Sequence, residues 1–309
     1  MVKIPLGDLQ VPGSRFRLVD LRWPDKNTPC TADHPPMPEL AEVEYFRRQW
    51  DSGFGRRVIR VAPHPGKRVF RGTDVEALKK ALTGARLLGS EGHGKQMLFR
   101  FSRGASLGIH LGMSGRLRVE TAGISPGKHD HLVLFQEERS LIYSDPRMFG
   151  RIRFALGRGT PEWWKNLPPA VISPAFTRVV LSEILSRGRR SPIKALLLDQ
   201  NLFPGVGNWM ADEILWQVKL YPATRAWDLS VHQQHDLWRV SRAICRTALK
   251  TIGVDWSEPP KNWLIHRRWQ KRGRCPRDGT LLDHGTVAGR TTAWCPVCQK
   301  PGKALDGRF

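Results

Sequence analysis

Apolar positions change their spacing several times along this chain. Residues 7–36 show no period, are broken by Pro and Asp, and read as part of an unstructured leader. From Met37, the residues Leu40, Val43, Tyr45, Phe46 and Trp50 fall near helical spacing. Glu39, Glu42 and Glu44 stand in the first turns, where the helix dipole favours acid. Short strand-like runs follow at 96–101, 106–111, 116–119, 131–135, 140–144 and 151–155, separated by Gly, Ser, Asp or Pro. That pattern predicts an antiparallel sandwich or barrel. The stretch 157–175 is rich in Gly, Pro and Trp and reads as a linker. From Phe176 to Ile252 helical periodicity dominates, with a sharp break at Phe203-Pro-Gly-Val-Gly207. The tail from Lys261 to Phe309 is short, basic and carries three cysteines. The expected order is a leader (1–36), a β domain (37–156), a linker (157–175), a helical domain (176–260) and a small metal-type module (261–309).

Charge narrows the class of partner. Fifty Lys+Arg against 28 Asp+Glu leave +22 on 309 residues. Such a surplus draws a protein to polyanions. No apolar run approaches the roughly 20 residues that a membrane span requires, so nucleic acid is the expected partner and no membrane is. A hydrophobic content of 40% is ordinary for a globular fold and too high for a disordered polycation. The five cysteines, Cys30, Cys245, Cys275, Cys295 and Cys298, are an odd number without an apolar signal core before them. That argues against a disulfide framework and for a reducing, cytoplasmic setting.

Three segments carry candidate chemistry. Cys275-Pro-Arg-Asp278 is followed, sixteen residues on, by Cys295-Pro-Val-Cys298. Two C-x2-C pairs at that separation would present four thiolates to one tetrahedral zinc ion. Here Asp278 stands in the second ligand position, which leaves three readings: a Cys3Asp zinc site, a weaker site using His284, or a metal-free hairpin. In the second segment, Asp199 to Trp216, one helix ends, Gly205 and Gly207 allow a tight reversal, and another helix starts near Asn208. Backbone N–H groups at that start are expected to bind phosphate; a plain helix–helix corner is the alternative. The third, Pro38-Glu39-Leu-Ala-Glu42-Val-Glu44, is an acidic helix start with Pro at its first turn.

Together and in this order, the three segments resemble the formamidopyrimidine-DNA glycosylases, whose mature N-terminus reads Pro-Glu-Leu-Pro-Glu-Val-Glu. The resemblance runs from Met37 to about Lys300. It includes His110-Leu-Gly-Met-Ser-Gly-Arg-Leu117, Lys128-His-Asp-His131 and Asp145-Pro-Arg-Met-Phe-Gly150. It implies an α+β multidomain fold: an N-terminal β-sandwich with flanking helices, a helix–two-turn–helix domain and a C-terminal β-hairpin zinc-finger-like module. It also implies a monomeric enzyme of base-excision repair acting on damaged double-stranded DNA. Such an enzyme removes oxidised purines (formamidopyrimidines, with 8-oxoguanine a further candidate) and cleaves the abasic site by β,δ-elimination. By resemblance, Pro38 supplies the nucleophilic amine, Glu39 is the acid/base at the sugar ring oxygen, Lys95 contacts phosphate and assists, and Arg290 serves δ-elimination. Met113, Arg147 and Phe149 are the wedge that fills the gap left by the flipped nucleotide, with Arg147 facing the orphaned base. His129, Arg190, Lys194 and Asn208 are the remaining expected phosphate contacts.

The chain departs from the family pattern in four places. Pro38 follows Met37 and a leader, and an acylated proline nitrogen is not nucleophilic, so translation is expected to start at Met37 with removal of that Met. Ala41 replaces the second family proline. Met148 replaces an arginine often found after Arg147. The stretch 253–263 is shorter than the family loop that covers flipped 8-oxoguanine, which weakens the expectation of 8-oxoguanine preference and leaves ring-opened purines. Two other readings stand beside the first. One is an endonuclease VIII-like enzyme for oxidised pyrimidines; the other is a non-catalytic binder of damaged DNA that keeps the leader.

Overall fold

The computed structural model describes residues 37–64 and 66–301; the predicted leader lies outside the described residues. The first helix, α1 (Leu40–Arg48), begins with a reciprocal cap in which the Glu39 side chain and Glu42 each take a backbone N–H of the first turn. It leads into a sandwich of two four-stranded sheets. Helix α2 (Val75–Leu82), capped by the Asp74 carboxylate on Ala77 N, packs beside them.

The strands are β1 (Arg60–Pro63), β2 (Leu87–His93), β3 (Gln96–Phe101), β4 (Ala105–His110), β5 (Arg116–Thr121), β6 (Asp130–Phe135), β7 (Arg139–Ser144) and β8 (Arg151–Leu156). One sheet has the order β1-β6-β7-β5, the other β2-β3-β4-β8, and every pairing is antiparallel. Of the two forms the strand pattern allows, the sandwich is the one observed. Strands β1 and β2 are additions to the expected set. The run in β6 reads as continuously apolar because both its faces are covered. Leu132 and Leu134 point into the inter-sheet core, while Val133 and Phe135 join Ile142 in a second cluster outside it.

The rest of the described chain is helical until its end. After the short α3 (Glu162–Lys165), helices α4 (Arg178–Arg187), α5 (Ile193–Leu198), α6 (Asn208–Gln217), α7 (Val231–Lys250) and α8 (Ile252–Asp255) share a core around Phe203, Met210, Leu215 and Ile244. Thr177 caps α4, and Ser230 with Gln233 forms a capping box on α7. Leu40 and Ala41 of α1 belong to this helical core, whereas Val43 and Trp50 lie in the sandwich core. The start of α1 is therefore the joint between the two domains.

The chain closes with the hairpin β9 (Asp283–Val287) and β10 (Arg290–Trp294). Ala288 and Gly289 both have positive φ (52° and 70°), the geometry of a two-residue hairpin turn, so Arg290 is the first residue after the tip. Among the described residues, no helix is long and apolar enough to cross a membrane.

Candidate functional site

The joint at α1 holds the catalytic candidates. Leu40 N donates to Gly205 O at 3.0 Å, fixing the helix start on the glycine corner. Gly205 (φ +93°) lies so close that an added Cβ would be 2.9 Å from Leu40 Cβ. This places the buried Glu39 carboxylate on the start of α6: Oε2 accepts from Gly207 N at 2.9 Å and Met210 N at 3.1 Å, and Oε1 from Trp209 N at 2.9 Å. The sequence leads one to expect these amides on phosphate. Three of them are instead taken by Glu39, because a buried carboxylate needs donors and a helix start supplies them.

Burial pushes the Glu39 carboxyl above its usual range, against the pull of Lys95 and the Trp209 and Met210 amides. Glu42 accepts from Glu39 N at 3.1 Å and from Trp209 Nε1 at 3.0 Å. Burial and the neighbouring Glu39 charge push it up to about 7. Lys95 follows β2 in the turn to β3; burial lowers it, while Glu39 and Glu42 raise it and Arg290 adds to the lowering. Pro38 is buried next to Glu39. Lys95 thus lies within the fields of both Glu39 and Arg290, which come from two other parts of the chain.

The expected wedge residues come from two loops tied by one buried carboxylate. Asp145 Oδ1 accepts from Ser114 Oγ at 2.5 Å and Arg147 N at 3.3 Å; Oδ2 accepts from Gly150 N at 2.7 Å. Ser114 Oγ in turn accepts from Arg147 N at 3.1 Å. Met113 is half-buried, whereas Arg147 and Phe149 are exposed, with the guanidinium 5.1 Å from the ring centroid. Met148 between them takes φ 54° and packs on the sandwich core, so its neighbours point outward. His129 and Arg190 are exposed.

Lys194 differs from expectation. It is wholly buried, its ammonium 2.6 Å from Asp212 Oδ1 and bonded to Thr291 O at 2.9 Å and Thr292 Oγ1 at 2.7 Å. A lysine so enclosed holds the hairpin and has no face left for phosphate. Asn208 Nδ2 also donates to Thr291 O, at 2.9 Å.

Several site residues carry no mark in the sequence. Asp212 and Arg268, both buried, form an ion pair at 2.5 Å. Arg71, Gln96, His110, Arg151 and Arg153 line a cavity of about 180 Å³. His110 there accepts from Gly112 N at 3.1 Å, and burial beside Lys95 and Arg71 pushes it down to about 4. The arginines of that cavity are scattered in sequence, so no spacing marks them. The stretch 253–263 packs on α1: Trp256, at φ 63°, makes edge contacts with Tyr45 and Phe46, ring centroids 4.7 and 5.7 Å apart.

At the base of the hairpin, one ligand atom each from Cys275, Asp278, Cys295 and Cys298 lie within 4.8 Å of one another. The Cys275 and Cys298 sulfurs are 3.8 Å apart, and Asp278 Oδ2 is 3.0 Å from Cys298 Sγ and 3.4 Å from Cys295 Sγ. A tetrahedron with metal–sulfur bonds of about 2.3 Å has edges near 3.8 Å, so the donor set fits one ion. His284 is engaged elsewhere, its Nε2 3.1 Å from Arg268 O. Of the tail readings, the Cys3Asp set is the one whose atoms converge.

Residues 37–152 match the family model for the formamidopyrimidine-DNA glycosylase N-terminal domain, and residues 167–257 match that for the formamidopyrimidine-DNA glycosylase H2TH domain. The chain is 35% identical over 276 residues to formamidopyrimidine-DNA glycosylase of Roseiflexus sp. (strain RS-1), covering 85% of this chain and 100% of that protein. To the enzyme of that name from Thermus thermophilus it is 34% identical over 282 residues, covering 86% and 100%. The solved structure of Lactococcus lactis formamidopyrimidine-DNA glycosylase, non-covalently bound to DNA containing an AP site, superposes with a TM-score of 0.75 at 30% identity. That match covers 85% of this chain and 100% of that one. With the two domains, the glycine corner and the hairpin in the same order, the chain belongs to the formamidopyrimidine-DNA glycosylase family.

Proposed function

We propose that this protein removes oxidised purines from duplex DNA and then cuts the strand at the resulting abasic site. The observation that carries this reading is the Glu39 carboxylate, buried beside Pro38, bonded by three amides of the glycine corner and facing the charge of Lys95. An acid held above its usual range keeps a proton to give to a sugar ring oxygen. The working protein begins at Pro38, with the leader and Met37 absent; the family match starting at residue 37 supports that start. Its secondary amine, which titrates near pH 8 in a free chain, attacks C1′ as the bond to the damaged base breaks. The amine gives up its proton, the C1′–O4′ bond then breaks as Glu39 protonates the ring oxygen, and the product is an iminium without an N–H proton, a lasting electron sink that acidifies the C2′–H bond. Loss of that proton expels the 3′ phosphate, and a second elimination expels the 5′ phosphate.

In this reading Lys95 and Arg290 hold the phosphates that leave. Met113 and Phe149 fill the gap in the duplex while Arg147 faces the orphaned base. His129, Arg190 and Asn208 meet the backbone, and Lys194 acts only through the hairpin. Cys275, Asp278, Cys295 and Cys298 hold one structural zinc ion, which would clamp the base of the hairpin.

Borohydride trapping decides between this chemistry and simple binding. Protein verified by intact mass to begin at Pro38 should become covalently linked to abasic and formamidopyrimidine duplexes. A verified Pro38 terminus with neither trapping nor strand scission would leave a damaged-DNA binder. Faster excision of oxidised pyrimidines than of formamidopyrimidines would move the protein to the endonuclease VIII-like reading.

A further inference from the structure

A fully buried cluster with two cations and one anion sits between α6 and the hairpin, and its hydrogen bonds converge on the residues just after Arg290. Asp212 is 0% exposed in the middle of α6. Its Oδ1 lies 2.6 Å from Lys194 Nζ. Its Oδ2 accepts from Arg268 Nε at 3.1 Å, Arg268 Nη2 at 2.5 Å and Ala293 N at 3.1 Å. Lys194 passes the contact on to Thr291 O and Thr292 Oγ1. The hairpin is therefore gripped at 291, 292 and 293, while the Cys275/Asp278/Cys295/Cys298 cluster holds only its base. Thr291 to Ala293 adjoin Arg290, which stands beside the turn and is itself exposed. An extended strand advances about 3.3 Å per residue, so a slip of this grip moves the Arg290 guanidinium by a comparable distance.

Buried charges are a poor choice for stability alone, because each gives up its hydration, and Glu39, whose charge acts on both Lys194 and Arg268, is itself pushed toward its neutral form by burial. Such a cluster does give a single geometry, since Asp212 Oδ2 takes three donors from Arg268 and Ala293 while Oδ1 is ion-paired with Lys194. We propose that Asp212, with Arg268 and Lys194, is a positioning residue that sets the register of the hairpin, so that Arg290 reaches the phosphate expelled in the second elimination. This rests on the role assigned to Arg290 above. Asp212 touches no reacting atom and acts through the strand.

The test is the ratio of singly to doubly eliminated ends on an abasic duplex, using full chain verified to begin at Pro38. D212N removes the anion while keeping the side-chain shape. It is expected to slow the second elimination at least about tenfold, while borohydride trapping, which needs only Pro38 and Glu39, stays within about twofold. R290A should slow the second elimination likewise, and D212N/R290A should be no worse than R290A in that step. If D212N does not fold, T292V, which removes the hydroxyl that Lys194 bonds and that itself donates to Arg290 O at 3.0 Å, should show the same shift in smaller measure. An unchanged product ratio in D212N or T292V, with R290A shifted, overturns the positioning role. So does a fall in trapping parallel to the fall in the second elimination, the mark of a merely structural residue. If R290A itself leaves the ratio unchanged, the Arg290 assignment fails and takes the positioning role with it, whereas loss of trapping in the parent protein would instead sink the proposed chemistry.

Discussion

Gly207 and Glu39 touch so closely that a methyl group on the glycine would put its carbon 2.3 Å from the Glu39 carboxyl carbon. Gly207 also gives its own N–H to that carboxylate at 2.9 Å. The glycine is needed for close approach, since nothing else fits beneath the acid. G207A must push Glu39 off the start of α6, away from Pro38. A catalytic group displaced by about 1 Å costs on the order of a hundredfold, so base excision by G207A should fall by at least about that factor. Single-turnover excision on a formamidopyrimidine duplex measures it. Activity within a few-fold of wild type would show that Glu39 needs no such seat.

Two buried carboxyls make stability depend on pH in a direction opposite to that of ion-paired acids. Burial pushes Glu213 up to about 7, partly offset by bonds from Gln217 Nε2 at 2.8 Å and Ile265 N at 3.1 Å. Glu42 is raised to about 7 as well. A folded pKa above the unfolded value means that the stabilisation is complete below pH 4.5 and is lost as pH rises through 7. For one such group the loss is up to about 3 kcal/mol. E213Q, which cannot ionise, should therefore gain stability relative to wild type as pH rises from 5 to 8. Urea denaturation across that range gives the difference; a wild-type–E213Q gap that stays constant would refute the assignment.

How far the sequence reveals this arrangement depends on the range of each interaction. The six strand-like runs and the glycine corner are local patterns, and they stand where their spacing puts them. Strand β2, Leu-Leu-Gly-Ser-Glu-Gly-His, has two glycines and no alternation; it is recruited by pairing with β3. Helix α6 hides its partners for another reason. It is buried from Trp209 to Trp216, and Asp212 and Glu213 within it each have a partner more than fifty residues away, which no local spacing marks. Lys194 misleads in the same way, since a lysine in a short helix suggests solvent. The resemblance supplied the catalytic candidates, but the capture of the corner amides by Glu39 joins residues 168 to 171 positions apart and left no local trace.

The two loops proposed as the wedge depend on one side chain. Asp145, 0% exposed, bonds Ser114 Oγ, Arg147 N and Gly150 N, so it joins the Met113 loop to the Arg147–Phe149 loop. D145A leaves the buried Gly150 N–H without that acceptor and frees both loops. A lost buried hydrogen bond costs about 1–3 kcal/mol, so a fall in melting temperature of several degrees is expected. Excision from duplex should fall further than cleavage of a preformed abasic site, where no base has to be removed. Equal losses on the two substrates would mean that Asp145 supports the fold alone.

Asp278 is the point at which the candidate metal-binding cluster departs from four thiolates, and its role can be separated from that of the cysteines. Its Oδ2 is 3.0 Å from Cys298 Sγ and 3.4 Å from Cys295 Sγ, close to the edges of a tetrahedron around one ion. Its Oδ1 accepts from Thr280 N at 2.9 Å, which fixes the carboxylate toward the sulfurs. If Asp278 is a ligand, D278A should bind zinc much more weakly, and D278C should hold it against a chelator longer than wild type. Loss of the ion should loosen the hairpin that carries Arg290 and weaken duplex binding. The helical core should stay folded, because Phe203, Met210 and Ile244 pack without the hairpin. Zinc per chain by elemental analysis, followed during chelation, measures this directly. Full zinc in D278A would leave three cysteines and water as the ligands and reduce Asp278 to an acceptor for Thr280.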